Sequence, residues 1–128
     1  MKFFITGVSG QLGHDVMNEL NKRGHIGVSS DIAEAYVGVV CTMPYASLDI
    51  TDAETVKRVI DAEKPDAVIH CAAWTAVDMA EDDDKVELVR KVNAGGTQNI
   101  ADACKAIGCK MLYLSIDYVF DGQGTEPW

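Results

Sequence analysis

The sequence has 128 residues, 48% of them hydrophobic and 24% charged, with a formal net charge of -9. That is core enough for one globular domain, residues 1–128, and is not a disordered composition. The acidic balance argues against nucleic acid or anionic membrane as main partner, no apolar run nears the roughly 20 residues of a membrane helix, and MKFFITGVSG turns polar too early for a signal peptide, so a cytoplasmic location is expected.

In chain order, KFFIT (2–6) reads as a strand. QLGHDVMNELNKRG (11–24) steps Leu12, Val16 and Leu20 four residues apart and ends on glycine, as a helix does. HIGVSS (25–30) is a second strand and YASLDI (45–50) a weaker third. TDAETVKRVIDAEK follows, with Thr51 or Asp52 as cap and Val56, Val59 and Ile60 on one helical face. DAVIHCAA (66–73), introduced by Pro65, is an apolar fourth strand. A long helix is expected from about 82 to 107, carrying Val86, Val89, Ala94 and Ile100, with Gly95 and Gly96 weakening its middle. KMLYLS (110–115) is the fifth strand. Strands alternating with helices, and apolar enough to be covered on both sides, predict an α/β fold with a doubly wound parallel sheet.

Cys41, Cys71, Cys104 and Cys109 form no CxxC pair and lie in or near apolar segments, as reduced thiols do. His14, His25 and His70 have no HExxH or similar spacing, so no zinc site is expected. The run EDDDK (81–85) is best explained as acidic residues favoured at a helix start.

The chemistry-bearing motif is GVSGQLG, which places Gly7, Gly10 and Gly13 after the first strand and into the first helix. A turn without side chains lets backbone N–H groups approach a pyrophosphate, and the helix N-terminus adds about half a positive charge. Glycines alone are weak evidence, since turns use them everywhere. Asp31, at the end of the second strand, strengthens the case: a carboxylate there accepts hydrogen bonds from an adenosine ribose, the arrangement of an NAD(P)-binding Rossmann fold. Asp31 would also repel a 2'-phosphate, and no Lys or Arg stands between Arg23 and Lys57 to attract one, so local chemistry favours NADH over NADPH.

Several stretches together resemble one family. GVSGQLG, LDITD, AAWTAVDMAE, VNAGGTQNIA and SIDYVFDG are similar to the extended short-chain dehydrogenase/reductases and, more narrowly, to dTDP-4-dehydrorhamnose reductases, with TAVDMAE and DYVFDG the most discriminating. The resemblance implies NAD(P)H-dependent reduction of the 4-keto group of a dTDP-sugar. It implies that Gly10, Gln11 and Leu12 hold the pyrophosphate, that Asp49 and Ile50 flank the adenine, and that Ala73, Trp74 and Thr75 line the nicotinamide crevice. It also implies substrate contact for Asp117 and Tyr118, against which stands an ordinary turn. Some relatives bind magnesium at a homodimer interface through a first-helix carboxylate; Asp15 is the counterpart, although a solvated helix residue is the commoner role for it.

The chain departs from the pattern twice. The family's proton donor is a tyrosine with a lysine four residues later, but four residues past Tyr36, Tyr45, Tyr113 and Tyr118 stand Val40, Asp49, Asp117 and Gly122. The acid and its lysine, with the substrate lobe, are therefore expected in sequence beyond this chain, which by itself should bind dinucleotide and catalyse little. Second, Ile116 occupies the place of the family's catalytic threonine, and the adjacent Ser115 is the remaining hydroxyl there. Two other functions stay open at this stage: a non-catalytic regulatory homologue, for which Ile116 speaks, and a reductase or epimerase of another nucleotide sugar.

Overall fold

In a computed structural model, which describes residues 1–76, 85–116, 121 and 123, five strands form one sheet in the order β3-β2-β1-β4-β5, every pair parallel. The strands are β1 (Lys2–Thr6), β2 (Ile26–Asp31), β3 (Tyr45–Ser47), β4 (Ala67–His70) and β5 (Lys110–Tyr113). The helices are α1 (Gln11–Lys22), α2 (Ala53–Glu63), α3 (Val86–Arg90) and α4 (Thr97–Ile107), the last two joined by a π-helical segment, Lys91–Gly96. This is the expected Rossmann-like α/β fold. No helix among the described residues is long and apolar enough to cross a membrane.

Side chains alternate across each strand, so β1 feeds two cores. Phe4 points to one face, where Val28, Val56, Ile60, Val68, Ile100 and Cys104 close around it beneath α2 and α4. Ile5 points to the other, packed with Val8, Met17 and Met43 beneath α1. Helix α2 starts where Asp52 accepts the Thr55 N–H at 3.1 Å, which decides between the two expected caps. Its buried stripe is Val56 and Ile60, with Val59 partly buried, as the spacing predicts.

Several boundaries differ from the sequence expectation. Strand β3 ends at Ser47 rather than at residue 50, because Asp49 turns the chain: its Oδ1 accepts both Thr51 N and Thr51 Oγ1 at 2.8 Å. Helix α1 ends at Lys22, and Gly24 then adopts a left-handed φ of 76°. Strand β4 covers only residues 67–70 of the expected 66–73. The expected helix over 82–107 is described from Val86 and widens to a π-helix across Lys91–Gly96, where the two glycines fall. Of its four marked apolar positions Ile100 is buried, Val86 and Val89 are half-buried and Ala94 is exposed. Finally, β5 is not covered on both sides: Leu112 is 54% exposed at the sheet's edge.

Candidate functional site

Strand β1 delivers the chain into the glycine loop at the carboxyl end of the sheet, the usual ligand edge of doubly wound folds. The three glycines do different work. Gly7 has φ +73°, and a Cβ there would lie 2.6 Å from the Ala72 nitrogen, so only glycine lets the loop after β4 come this close. Gly13 is buried against the backbone of Gly7 and Val8, and a Cβ there would collide with both, so it sets how closely α1 packs on the loop. Gly10 is the open one: its Cβ would meet only the Gly7 carbonyl oxygen, at 3.3 Å.

The loop's amides divide likewise. Val8 N–H donates to Ser30 O at 3.2 Å, Gly10 N–H to Gly7 O at 3.1 Å, and Ser9 N–H to the Asp31 carboxylate at 2.9 Å. The first bond of α1 runs from His14 N–H to Gly10 O, and Gly10 brings no capping side chain. Gln11, Leu12 and Gly13 are therefore the first-turn residues whose N–H groups have no helical acceptor. An anion seated at exposed Gly10 and Gln11 would meet these three amides and the positive end of α1. The donor set thus fits a pyrophosphate, but it begins at Gln11 rather than at the start of the loop.

Asp31 is directed at that loop. Its Oδ2 accepts Ser9 N–H at 2.9 Å and its Oδ1 accepts Ile32 N–H at 2.7 Å. A carboxylate has about four acceptor directions, so two of them stay open to a ligand's hydroxyls. Asp49 is exposed, while Ile50 is buried in the core, against Gly96, with its carbonyl accepting Asn99 Nδ2 at 2.9 Å. Ile50 thus supports the crevice from below, and of that pair Asp49 is the exposed one.

On the other side of the crevice, Ala73 and Thr75 are exposed and Trp74 is half-buried. Their stretch is held by Asn93, whose Oδ1 accepts Trp74 N–H at 2.7 Å and whose Nδ2 donates to Trp74 O at 3.2 Å. Beneath them lies His70, 1% exposed, bonded through Nδ1 to Thr6 Oγ1 at 2.7 Å and through Nε2 to Thr97 Oγ1 at 3.1 Å. Burial lowers the His70 pKa to about 4, so the imidazole is neutral near pH 7. No motif marked Thr6, Asn93 or Thr97 as site residues, and His70 stood out only as a metal ligand without the spacing for one. Their signals were a histidine inside the apolar run AVIHCAA and an Asn/Thr pair four residues apart in a helical segment.

Ser115 and Ile116 follow β5 and are both exposed, Ile116 at 62%. Asp117 and Tyr118, and most of TAVDMAE, lie outside the described residues. A groove of about 260 Å³ runs between α2 and α4, lined by Glu54, Lys57, Arg58, Asp61, Ala103, Ala106 and Ile107. It shares no residue with the glycine loop, Asp31 or the 71–75 stretch, so it is distinct from the candidate site.

The family described as the RmlD substrate binding domain matches residues 1–128, the whole chain. The chain belongs to that family. Among its relatives, a dTDP-4-dehydrorhamnose reductase of Streptomyces griseus is 36% identical over 99% of this chain and 37% of its own length. A dTDP-4-dehydrorhamnose reductase structure from Clostridium acetobutylicum superposes with a TM-score of 0.79 at 36% identity, covering 100% of this chain and 40% of that one. The Bacillus anthracis reductase, solved in complex with NADP, gives 0.74 at 34% identity over 96% of this chain and 39% of its own. A UDP-glucose 4-epimerase from Thermus thermophilus, in complex with NAD, gives 0.77 at 28% identity, over 87% of this chain and 36% of that one. The chain thus spans well under half the length of these relatives.

Proposed function

We propose that the chain is the cofactor-binding part of a cytoplasmic nucleotide-sugar reductase, of the kind that converts dTDP-4-dehydro-L-rhamnose to dTDP-L-rhamnose with a nicotinamide cofactor. The observation that carries it is the Asp31 carboxylate bonded to Ser9 N–H across the glycine loop, beside the free first-turn amides of α1. In this reading Gln11, Leu12 and Gly13 bind the pyrophosphate and Asp31 the adenosine ribose. Asp49 borders the adenine with Ile50 behind it, and Ala73, Trp74 and Thr75 line the nicotinamide side. The cofactor supplies hydride. The residues of this chain bind it, orient it and keep its two halves in register.

Family membership and the named relatives support the reductase class, and the preference for NADH rests on Asp31 and the cation-free interval after Arg23. Nicotinamide fluorescence titration tests both. NADH is expected to bind at least about tenfold tighter than NADPH. Asp31→Ala should weaken NADH by about 10- to 100-fold, the equivalent of losing a charge-assisted hydrogen bond of roughly 1.5–3 kcal/mol. Equal affinities remove the NADH preference, and no binding of either removes the reading.

A second reading, a non-catalytic regulatory homologue, is favoured by Ile116, an exposed aliphatic group where the family carries a hydroxyl. Losing one such donor costs ~10²–10³ in rate. Ile116→Thr in the uninterrupted protein is therefore expected to raise kcat, and unchanged turnover would favour the regulatory role.

A further inference from the structure

The polar groups beneath the crevice form one directional chain. The Thr97 hydroxyl donates its single proton to Asn93 O at 2.7 Å, so toward His70 it can only accept, and the proton of His70 must lie on Nε2. Nδ1 is then an acceptor and takes the Thr6 hydroxyl proton, which leaves Thr6 Oγ1 free to accept Ala72 N–H at 3.2 Å. The other end returns to the same loop, because Asn93, whose carbonyl ends the chain of donors, clasps both Trp74 backbone groups with its side chain. Ala72 in turn lies against Gly7, at a separation that leaves no room for a Cβ. The Tyr113 ring stacks on the imidazole, with centroids 5.7 Å apart. The donor–acceptor sense is thus fixed at each link from Asn93 O to Ala72 N–H, and no buried side-chain polar atom among the described residues lacks a partner.

Taking the cofactor site of the previous subsection as given, we propose that His70, as the neutral Nε2–H tautomer, is a positioning residue that sets the width of the cofactor crevice. It orients Thr6 and Thr97 so that the Ala72–Trp74 backbone is held against the glycine loop. His70 touches no ligand itself. Reversing or deleting its hydrogen bonds releases Ala72 N–H from Thr6 and leaves the 72–74 stretch tethered through Asn93 alone. The crevice wall then moves relative to Gly7, although neither wall has changed in sequence.

The tautomer is read on the unaltered chain by long-range proton–nitrogen spectra of the histidine side chains: an Nε2–H signature for His70 is expected, and an Nδ1–H signature overturns the proposal. Affinity is read by NADH titration of folded variants matched by circular dichroism. His70→Phe keeps a ring but no hydrogen bond and should raise Kd at least tenfold, whereas His70→Asn, which restores an acceptor near Nδ1, should stay within threefold of the parent. Thr6→Val and Thr6→Ser form the same contrast from the other partner and serve if His70→Phe does not fold. A lowered Tm with unchanged Kd for His70→Phe or Thr6→Val would show a purely structural role and sink the proposal, as would a Kd for His70→Asn as weak as that of His70→Phe. Failure of the unaltered chain to bind NADH would instead overturn the cofactor reading beneath it, and the proposal with it.

Discussion

Strands β1 and β5 are written in nearly the same way, KFFIT and KMLY, yet meet opposite fates. In β1, Phe4 and Ile5 are fully buried, one on each face of the sheet. In β5, Met111 packs against the core beneath α4, but Leu112 is 54% exposed, and beyond it Tyr113, Leu114 and Ile116 are 47%, 44% and 62% exposed. The register aligns Ile5 with Ile69 and Ile69 with Leu112, so all three face the side on which α1 lies. Helix α1 covers the Ile5 end of that row and leaves the Leu112 end open. An apolar strand states a demand for cover; whether it is met depends on what lies across from it.

The comparison can be broken most severely at its covered end. Gly13→Val puts a branched side chain against the backbone of Gly7 and Val8, where rigid main chain cannot yield. We expect a loss of about 3 kcal/mol or more in urea unfolding, together with loss of dinucleotide binding. A variant within about 1 kcal/mol of the parent would show that α1 can shift outward freely.

A comparable effect is reversible with pH. The folded pKa of His70 is lowered to about 4 from 6.5 by burial, so between those values the unfolded chain takes up a proton that the folded chain refuses. The folded state is then disfavoured progressively as pH falls from 6.5 to 4, by about 1.4 kcal/mol per pH unit and about 3 kcal/mol in all. Above pH 6.5 the imidazole is neutral in both states and the contribution is constant. Unfolding at pH 5 and pH 7.5 for the parent and His70→Asn isolates this term. Equal pH dependence in the two proteins would mean that His70 is charged in the fold.

The uncovered end predicts the smallest change in stability and a visible change in association. Leu112→Lys should alter the unfolding free energy by no more than about 0.5 kcal/mol, since the side chain already contacts solvent, while reducing self-association seen by sedimentation at high concentration. A large destabilisation would show that the β5 face is covered in solution.

Most of the fold could be read from the chain. The period of Leu12, Val16 and Leu20 marks α1, the cap of α2 was narrowed to Thr51 or Asp52, and the alternation of apolar runs with helices implies a parallel sheet. The glycine spacing and Asp31 pointed to two segments that the structure does bring together, through the bond from Ser9 N–H to the Asp31 carboxylate. What escaped was the end of β3, because apolar Leu48 and Ile50 on either side of polar Asp49 alternate as a strand does, while Asp49 bonds locally to Thr51. The π-helical widening at Lys91–Gly96 escaped too, since its glycines register in sequence only as weak helix formers.

Local chemistry, then, was enough to state which residues prefer helix or strand and where a backbone bare of side chains could meet a phosphate, because those preferences act over a few neighbouring bonds. The division of labour among Gly7, Gly10 and Gly13, the burial of Ile50, and the relay from Ala72 through Thr6, His70 and Thr97 to Asn93 join positions as far apart as 66 residues in sequence. Those were decided only when the sheet brought β1 beside β4, since a hydrogen bond or a collision exists only once two separate segments have been placed within reach.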